Sequence, residues 1–149
     1  MISMKMVGMK AFQQAMKNRL KKLKDRRKVY GRAVVIIDRW IQKNFQQEGK
    51  LAMGGGGWKS LAAATIEQRR KGKKSRFGTK ILQDRGWLRD KWKKTWTARY
   101  GAVQSKMDYS EGHHKGLGHL PERRILPTEK QMMPELTKVF EHFVSVSIK

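Results

Sequence analysis

The residues with the most obvious capacity for chemistry lie between positions 110 and 128. Glu111, His113, His114 and His119 fall within this stretch, and carboxylate and imidazole groups are ligands that zinc accepts in proteins. Adjacent histidines on an irregular segment do not define a tetrahedral site, because the ion needs ligands held in a fixed geometry. We therefore expect a solvated or interface loop here, and no bound metal.

A second candidate is the glycine-rich stretch Gly54–Ser60, which reads Gly-Gly-Gly-Gly-Trp-Lys-Ser. It is similar to a phosphate-binding loop, but that motif needs glycine directly before the lysine and a strand before the loop. Here Trp58 occupies the glycine position and a helical pattern precedes the glycines. We interpret the segment near residues 50–57 as a flexible connection. Trp58 and Leu61 then dock the chain after it.

The sequence contains no recognisable combination of catalytic residues. There is no nucleophile–base pair, no acid–base pair of carboxylates and no accepted cofactor fingerprint, and the 12 acidic residues are scattered among 35 basic ones. Acids beside cations are typical of ion pairs rather than of general acids. The chain also lacks cysteine, which excludes disulfides and thiolate chemistry. We expect a protein that is not an enzyme and uses no cofactor.

The net charge of +23 is unevenly distributed, because residues 1–48 and 65–100 each carry +10. A surplus confined to two segments predicts a positive field on one side of the protein. Such a field is typical of a surface that faces a polyanion. The alternative is that the charge only prevents self-association. The candidates for contact with DNA or another polyanion lie in a basic run without apolar residues, where flexible cations neutralise phosphates without reading sequence. They are Lys71, Lys73, Lys74 and Arg76.

Apolar spacing predicts two amphipathic helices over residues 1–48. The first stripe comprises Met9, Phe12, Met16, Leu20 and Leu23, and suits a core or a partner surface equally well. The second stripe ends at Glu48-Gly49, where glycine can adopt the left-handed conformation of a helix end. It comprises Tyr30, Val34, Ile37, Ile41 and Phe45.

The remaining chain predicts a small sheet between short helices. Alternation from Trp92 to Tyr100 indicates a strand whose aromatic residues face the core rather than nucleic-acid bases, and Gly101 would turn it into a partner strand over Val103–Met107. A short helix from about Thr65 comes before the strand. A C-terminal helix with Pro134 as its first residue should cover the sheet.

The fold predicted by these patterns is α+β. It has a long N-terminal helical region, a small antiparallel sheet with an aromatic-rich hairpin, and a C-terminal helix covering the sheet. We expect one domain over 1–149, with 1–48 as a helical region able to act as an assembly arm and 49–149 as the α+β core. Flexible loops are expected near 50–57, 71–78 and 110–128. The expected structural anchors are Trp58, Leu61, Leu82 and Leu88.

An ordered series of sparse landmarks runs through this core. In chain order they are Asn44-Phe45, Glu48-Gly49, Gly57-Trp58, Leu61, Thr65, Arg69-Arg70, Ile81-Leu82, Gly86, Leu88-Arg89, Tyr109, His113, Gly116, Pro121 and Arg123. In this order and with these spacings, the chain from Ile41 to Val144 resembles the phage virion morphogenesis family. These are the Mu-like tail-completion or neck proteins of tailed bacteriophages.

The resemblance implies a virion structural protein of the head–tail junction. Such a protein would assemble in the host cytoplasm as a homo-oligomeric ring, between the portal or adaptor on the head side and the tail tube or tail terminator. Packaged double-stranded DNA is a further candidate partner. Ring closure needs two different patches on each subunit, and the N-terminal helix and the Tyr109–Pro127 loop are the candidates. The candidate interface residues are Tyr109, His113, His114, Gly116, Pro121, Arg123 and Arg124.

The alternative function is that of a monomeric basic protein that binds nucleic acid without sequence preference. No membrane partner is expected under either hypothesis. Met1–Phe12 lacks the apolar core of a signal peptide, and the most apolar run, Ala33–Ile37, is too short to span a bilayer. We therefore expect a soluble protein that is not exported.

Overall fold

The computed structural model describes residues 2–5, 26–72 and 75–147, and its fold is α+β as the sequence predicts. The first predicted stripe, from Met9 to Leu23, lies outside the described residues. None of the described helices is long and apolar enough to cross a membrane. The elements in chain order are β1 (Ser3–Lys5), α1 (Arg26–Gln46), α2 (Lys50–Met53), α3 (Ala63–Lys71), α4 (Trp87–Asp90), β2 (Trp92–Trp96), β3 (Gly101–Ser105), α5 (Ser110–Lys115) and α6 (Glu129–Ser147).

The described residues divide into two compact units, and α1 contributes residues to both. Unit 1 comprises Ile2, the described parts of Ile41–Trp92, and Ser105–Leu126. Unit 2 comprises the described parts of Ser3–Trp40, Lys93–Gln104 and Pro127–Lys149.

Unit 2 combines most of α1, the sheet and the C-terminal helix. The strands are arranged in the order β1-β3-β2, and β1 pairs antiparallel with β3 so that Met4 lies opposite Val103. Strand β3 approaches α1 closely at Gly101, where an added Cβ would lie 2.8 Å from Val34 Cγ2. The buried hydrophobic side chains of this unit are those of Val29, Ala33, Val34, Ile37, Val103, Met132, Leu136 and Phe140.

The hairpin between β2 and β3 differs from the prediction. Strand β2 ends at Trp96, and the turn falls on residues 97–100 rather than at Gly101. The Thr97 hydroxyl accepts hydrogen bonds from the amide groups of Arg99 and Tyr100, which stabilises this earlier turn. The prediction of core aromatics is correct for Trp92 and wrong for Trp96, which is 41% exposed.

The start of α6 was also predicted wrongly. The helix begins at Glu129, so Pro134 lies inside it and not at its first position. The cause is a reciprocal cap. The Gln131 side chain accepts from the Thr128 amide, while the Thr128 hydroxyl accepts from the Gln131 amide. This capping box starts the helix more than a turn before the proline.

The sequence predicts a loop over residues 110–128, but the first part of this segment is helical. Residues Ser110–Lys115 form α5, which ends at Gly116 in the left-handed conformation with φ of 66°. The Gly116 amide donates to the carbonyl of Gly112, the usual arrangement at a helix end. An added Cβ at Gly116 would lie 2.8 Å from the Glu122 nitrogen, so the following chain passes directly over this turn.

Candidate functional site

The site is built around Asn44, a fully buried residue near the end of α1 in unit 1. Its Nδ2 donates to the carbonyl oxygens of Arg124 (3.2 Å) and Ile125 (3.4 Å), and its Oδ1 accepts from the Ala52 amide at 3.1 Å. A buried side-chain amide that bonds to three main-chain groups fixes the path of that chain. Asn44 therefore joins α1 to α2 and to a segment eighty residues later.

The end of α1 is completed by residues from distant segments. Carbonyl groups in the last turn of a helix have no partner within the helix. Here the Gln83 side chain donates to the Phe45 carbonyl at 2.8 Å. Two residues past the helix, the Trp58 amide donates to the Glu48 carbonyl at 2.7 Å. The Glu48 carboxylate in turn accepts from the Ile81 amide at 2.9 Å. These contacts hold the segments around Trp58 and Ile81 against the same helix end.

Trp58 is buried next to this helix end. Its ring contacts Phe45 edge-to-face, with 5.1 Å between centroids, and its Nε1 donates to the Arg124 carbonyl at 2.8 Å. Gly49, with φ of 87°, lies directly beneath the indole, because an added Cβ there would be 2.2 Å from Trp58 Cδ1. The predicted anchors Leu82 and Leu88 are buried as well, whereas Leu61 is partly exposed.

Arg123 is a buried cation, only 6% exposed. Its Nε and Nη2 donate to the carbonyl oxygens of Lys59 (3.0 Å) and Ser60 (3.2 Å), and its amide donates to the His113 carbonyl at 2.8 Å. Burial, and secondarily the nearby Arg69, lower its pKa. Hydrogen bonds from a charged donor are among the stronger ones in proteins. Arg123 therefore ties the chain after Trp58 to α5.

His114 acts as a hydrogen-bond acceptor. Its Nδ1 accepts from the amides of Ile125 (3.0 Å) and Leu126 (3.4 Å), so the network assigns the ring proton to Nε2. Burial lowers the pKa of His114, and burial together with Arg123 lowers that of His113. Both imidazoles are thus favoured in the neutral form.

The predicted interface residues divide into two groups in the structure. The first group is packed inside unit 1. It comprises His113, His114 and Arg123 of the network just described, and Gly116, which lies directly against Glu122. Tyr109, in contrast, is 49% exposed. Pro121 is partly exposed, and the Arg124 side chain is partly exposed beside Glu122, with 3.0 Å between Nε and Oε1.

A cleft of about 890 Å³ in unit 1 is lined by Tyr109 and Pro121 of this second group, but not by Arg124. Tyr109 and the 45% exposed Trp87 line it, together with Leu61, Leu120 and Pro121. Leu82 also lines the cleft and has φ of 58°, a conformation that a residue with a side chain seldom adopts. No sequence pattern marks Trp87 as a surface residue, because a tryptophan next to Leu88 is equally compatible with a core.

The predicted polyanion contacts are only partly described. Lys73 and Lys74 lie outside the described residues. Lys71 forms an ion pair with Glu67, and Arg76 lies 3.7 Å from the Asp90 carboxylate and over the Phe77 ring. Neighbouring Arg69 donates to the Lys80 carbonyl at 2.9 Å, which holds the end of this basic loop.

Unit 2 carries a groove that the sequence analysis missed. It has a volume of about 940 Å³ and lies between α1, Trp96 of β2 and α6. Cations on α1 recur at helical spacing around the exposed Val35, and this was the available signal. The α1 residues that line it are Arg27, Lys28, Gly31, Arg32, Val35, Ile36 and Arg39.

The candidate zinc ligands do not converge. Glu111 forms an ion pair with Lys115, His114 Nδ1 is occupied by main-chain amides, and His119 is exposed. Across residues 2–5, 26–72 and 75–147, no group of three or more His, Asp or Glu side chains could hold a metal ion. Comparison of the chain with protein-family models, with curated proteins and with solved structures finds no match.

Proposed function

We propose that this protein is a structural component of the head–tail junction of a tailed bacteriophage, where it forms a homo-oligomeric ring between the portal side and the tail. The observation that supports the proposal is the convergence of the family landmarks within unit 1. Hydrogen bonds join the segments of four landmarks into one network, although these residues are up to 79 positions apart in the chain: Asn44, Glu48, Trp58 and Arg123.

Convergence supports the resemblance for a physical reason. A residue whose side chain satisfies buried main-chain groups can be replaced only at a cost of about 1–3 kcal/mol for each group left unpaired. The residue types at positions such as Asn44 and Arg123 are therefore determined by one particular path of the main chain. Landmarks that each determine the same path are evidence about a fold, whereas matches by chance would be scattered over unrelated positions.

The cleft with Tyr109 and Trp87 is the proposed subunit contact. Exposed aromatic side chains with arginines beside them are the residue types that contribute most to protein interfaces. Arg85 and Lys91 lie over the Trp87 ring, at 5.4 Å and 4.3 Å from its centroid. A ring of subunits of charge +23 must form through such apolar contacts, since the positive surfaces repel one another.

The test is the native mass of the protein at high salt, measured by sedimentation velocity. A ring keeps a multiple of 17.4 kDa when salt screens the charges. We expect Tyr109→Glu to dissociate it. The matched control is Val146→Glu, at a residue that is 61% exposed, does not line the cleft and lies outside the Tyr109–Pro127 loop. A monomer at every salt concentration would contradict the proposal.

A monomeric nucleic-acid-binding protein is the second candidate, because the groove of unit 2 is lined by four cations. Such a protein binds two unrelated duplexes equally and loses affinity steeply as salt rises. Equal binding to both duplexes by a species of monomer mass would favour this function over the ring. Loss of DNA with retention of the ring at high salt would favour the first proposal.

A further inference from the structure

The groove of unit 2 is lined by the indole of Trp96, which is held against α1. Trp96 lies against α1 at Gly31, where an added Cβ would be 3.2 Å from the indole Nε1 and 3.3 Å from Cδ1. Glycine in the middle of a helix costs about 1 kcal/mol relative to alanine, and here it allows the indole to approach the helix backbone. The ring is still 41% exposed. It is therefore fixed in position with part of its surface available to a partner.

Apolar side chains extend from the Trp96 indole along the groove. Val35 is 42% exposed, and Ile36, Val139 and Phe143 are partly exposed beside it. These residues come from α1 and α6, which form the two long walls. Such a floor accepts aliphatic side chains, because burying apolar surface contributes about 25 cal/mol per Å².

The rim of the groove is positively charged along α1. Four cations of this helix line it, and among the described residues no acidic one does. Arg27 and Arg39 are exposed and are twelve positions apart, which corresponds to roughly 18 Å along the helix axis. Arg32 lies over the Phe143 ring, 5.6 Å from its centroid, so one cation is held at the edge of the apolar floor. The length fits about three turns of a docked helix.

The apolar floor and the positively charged rim together determine which class of molecule fits the groove. Duplex DNA would use the cations and leave the aliphatic floor uncovered, since its phosphate surface is polar. A second copy of this chain carries the same charge of +23. Its residues 6–25 have an apolar stripe but contain six Lys or Arg and one Asp. Their net charge is positive, like that of the rim, and the two repel each other. An acidic protein segment with one apolar face satisfies both parts.

We propose that this groove docks an acidic amphipathic helix from a partner protein. Its apolar stripe, at positions i, i+3, i+4 and i+7, contacts Trp96 and Val35, and its carboxylates pair with Arg27, Arg32 and Arg39. This is the helix-in-groove mode of recognition. The inference depends on the geometry of unit 2 alone and does not require the phage function.

The test uses two labelled synthetic peptides of identical composition, each three heptads long and rich in Glu and Leu. One has its leucines on a single helical face, and the other has them permuted so that no face forms. Fluorescence anisotropy should show that the full-length protein binds the first at least roughly tenfold more tightly. Equal affinity would overturn the proposal, because attraction would then depend on charge alone.

Matched variants locate the binding. Trp96→Ala and Arg39→Glu should each weaken binding of the amphipathic peptide by about tenfold or more. The control is Arg70→Glu, at an exposed residue that does not line this groove, and it should leave the affinity unchanged. Arg39→Glu keeps the test valid if Trp96→Ala unfolds, which circular dichroism would reveal. Unchanged binding by a folded Arg39→Glu protein would overturn the proposal.

The two other occupants give distinct results. A duplex that displaces the amphipathic peptide and binds more weakly to both Trp96→Ala and Arg39→Glu would assign the groove to nucleic acid. Native self-association that is lost in the same two variants would assign it to a second copy. Either result would contradict docking of an acidic helix.

Discussion

The Nε1 atom of Trp58 donates a hydrogen bond of 2.8 Å to the carbonyl oxygen of Arg124. The same oxygen accepts from Asn44 Nδ2 at 3.2 Å. One main-chain acceptor thus joins α1, the segment after the glycine-rich stretch and the segment after α5. These bonds use the backbone of Arg124 and not its guanidinium group, so the contact depends on chain path rather than on the side chain at position 124.

Replacing Trp58 should destabilise unit 1 in two measurable steps. Trp58→Phe retains a ring against Phe45 but loses the donor to the Arg124 carbonyl. Because that carbonyl still accepts from Asn44, the loss should cost about 0.5–1.5 kcal/mol. Trp58→Ala also loses the buried ring and should cost about 3–5 kcal/mol. Urea unfolding followed by circular dichroism gives both values. Unfolding free energies equal to that of the wild type would show that the indole does not support the fold.

The two adjacent arginines should behave differently. Arg123→Ala removes two charge-assisted bonds to the carbonyls of Lys59 and Ser60, which should lower the free energy of unfolding by on the order of 3 kcal/mol. Arg124→Ala removes a partly exposed side chain paired with Glu122 and should cost less than about 1 kcal/mol. The two single variants are compared in the same denaturant titration. Equal losses would contradict the structural role of Arg123.

Sequence patterns alone gave both arginines the same expected role at an interface. Their difference could not be predicted, because the partners of Arg123 are main-chain carbonyls sixty-four and sixty-three positions away, which leave no periodic signal. The end of α1 near Glu48-Gly49 was predictable, since the apolar stripe stops there. The anchoring role of Trp58 could be inferred from four preceding glycines that cannot themselves pack.

Other differences came from local chemistry that the sequence contained. Thr128 and Gln131 have the spacing of a capping box, and Pro134 was mistaken for the stronger start signal of α6. The alternating pattern places Trp96 on the same face of β2 as the buried Trp92. It does not predict what fraction of each side chain is exposed. The groove required α1, β2 and α6 together, and no single segment indicates it.

Gly49 should be far less tolerant of substitution than Gly56. Gly49→Ala places a Cβ 2.2 Å from Trp58 Cδ1 at φ of 87°. The left-handed conformation alone costs about 1–2 kcal/mol, and the overlap must displace the indole. At Gly56 an added Cβ meets nothing within 4 Å and φ is not positive, so Gly56→Ala should be neutral or stabilise by up to about 1 kcal/mol. Thermal unfolding of the pair checks this. Equal losses would contradict the contact between Gly49 and Trp58.

Stability should fall as the solution is acidified through the histidine range. Burial lowers the pKa of His114 and of His113 in the folded protein, whereas the unfolded chain binds protons near the ordinary value of about 6.5. The unfolded state therefore takes up more protons below that value, and the free energy of unfolding decreases with falling pH. Protonation of His114 at Nδ1 would also break its bonds to the amides of Ile125 and Leu126.

The matched variants are His114→Gln and His142→Gln, the latter at an exposed position on α6. Melting temperatures measured from about pH 7.5 to about pH 5.5, above the range of most carboxylates, should decrease for the wild type and for His142→Gln alike. His114→Gln should melt lower than the wild type at the upper pH, because the acceptor geometry is disturbed. Its decrease on acidification should be smaller, since one depressed group no longer titrates. A His114→Gln protein with the wild-type pH slope would show that this imidazole does not link protonation to unfolding.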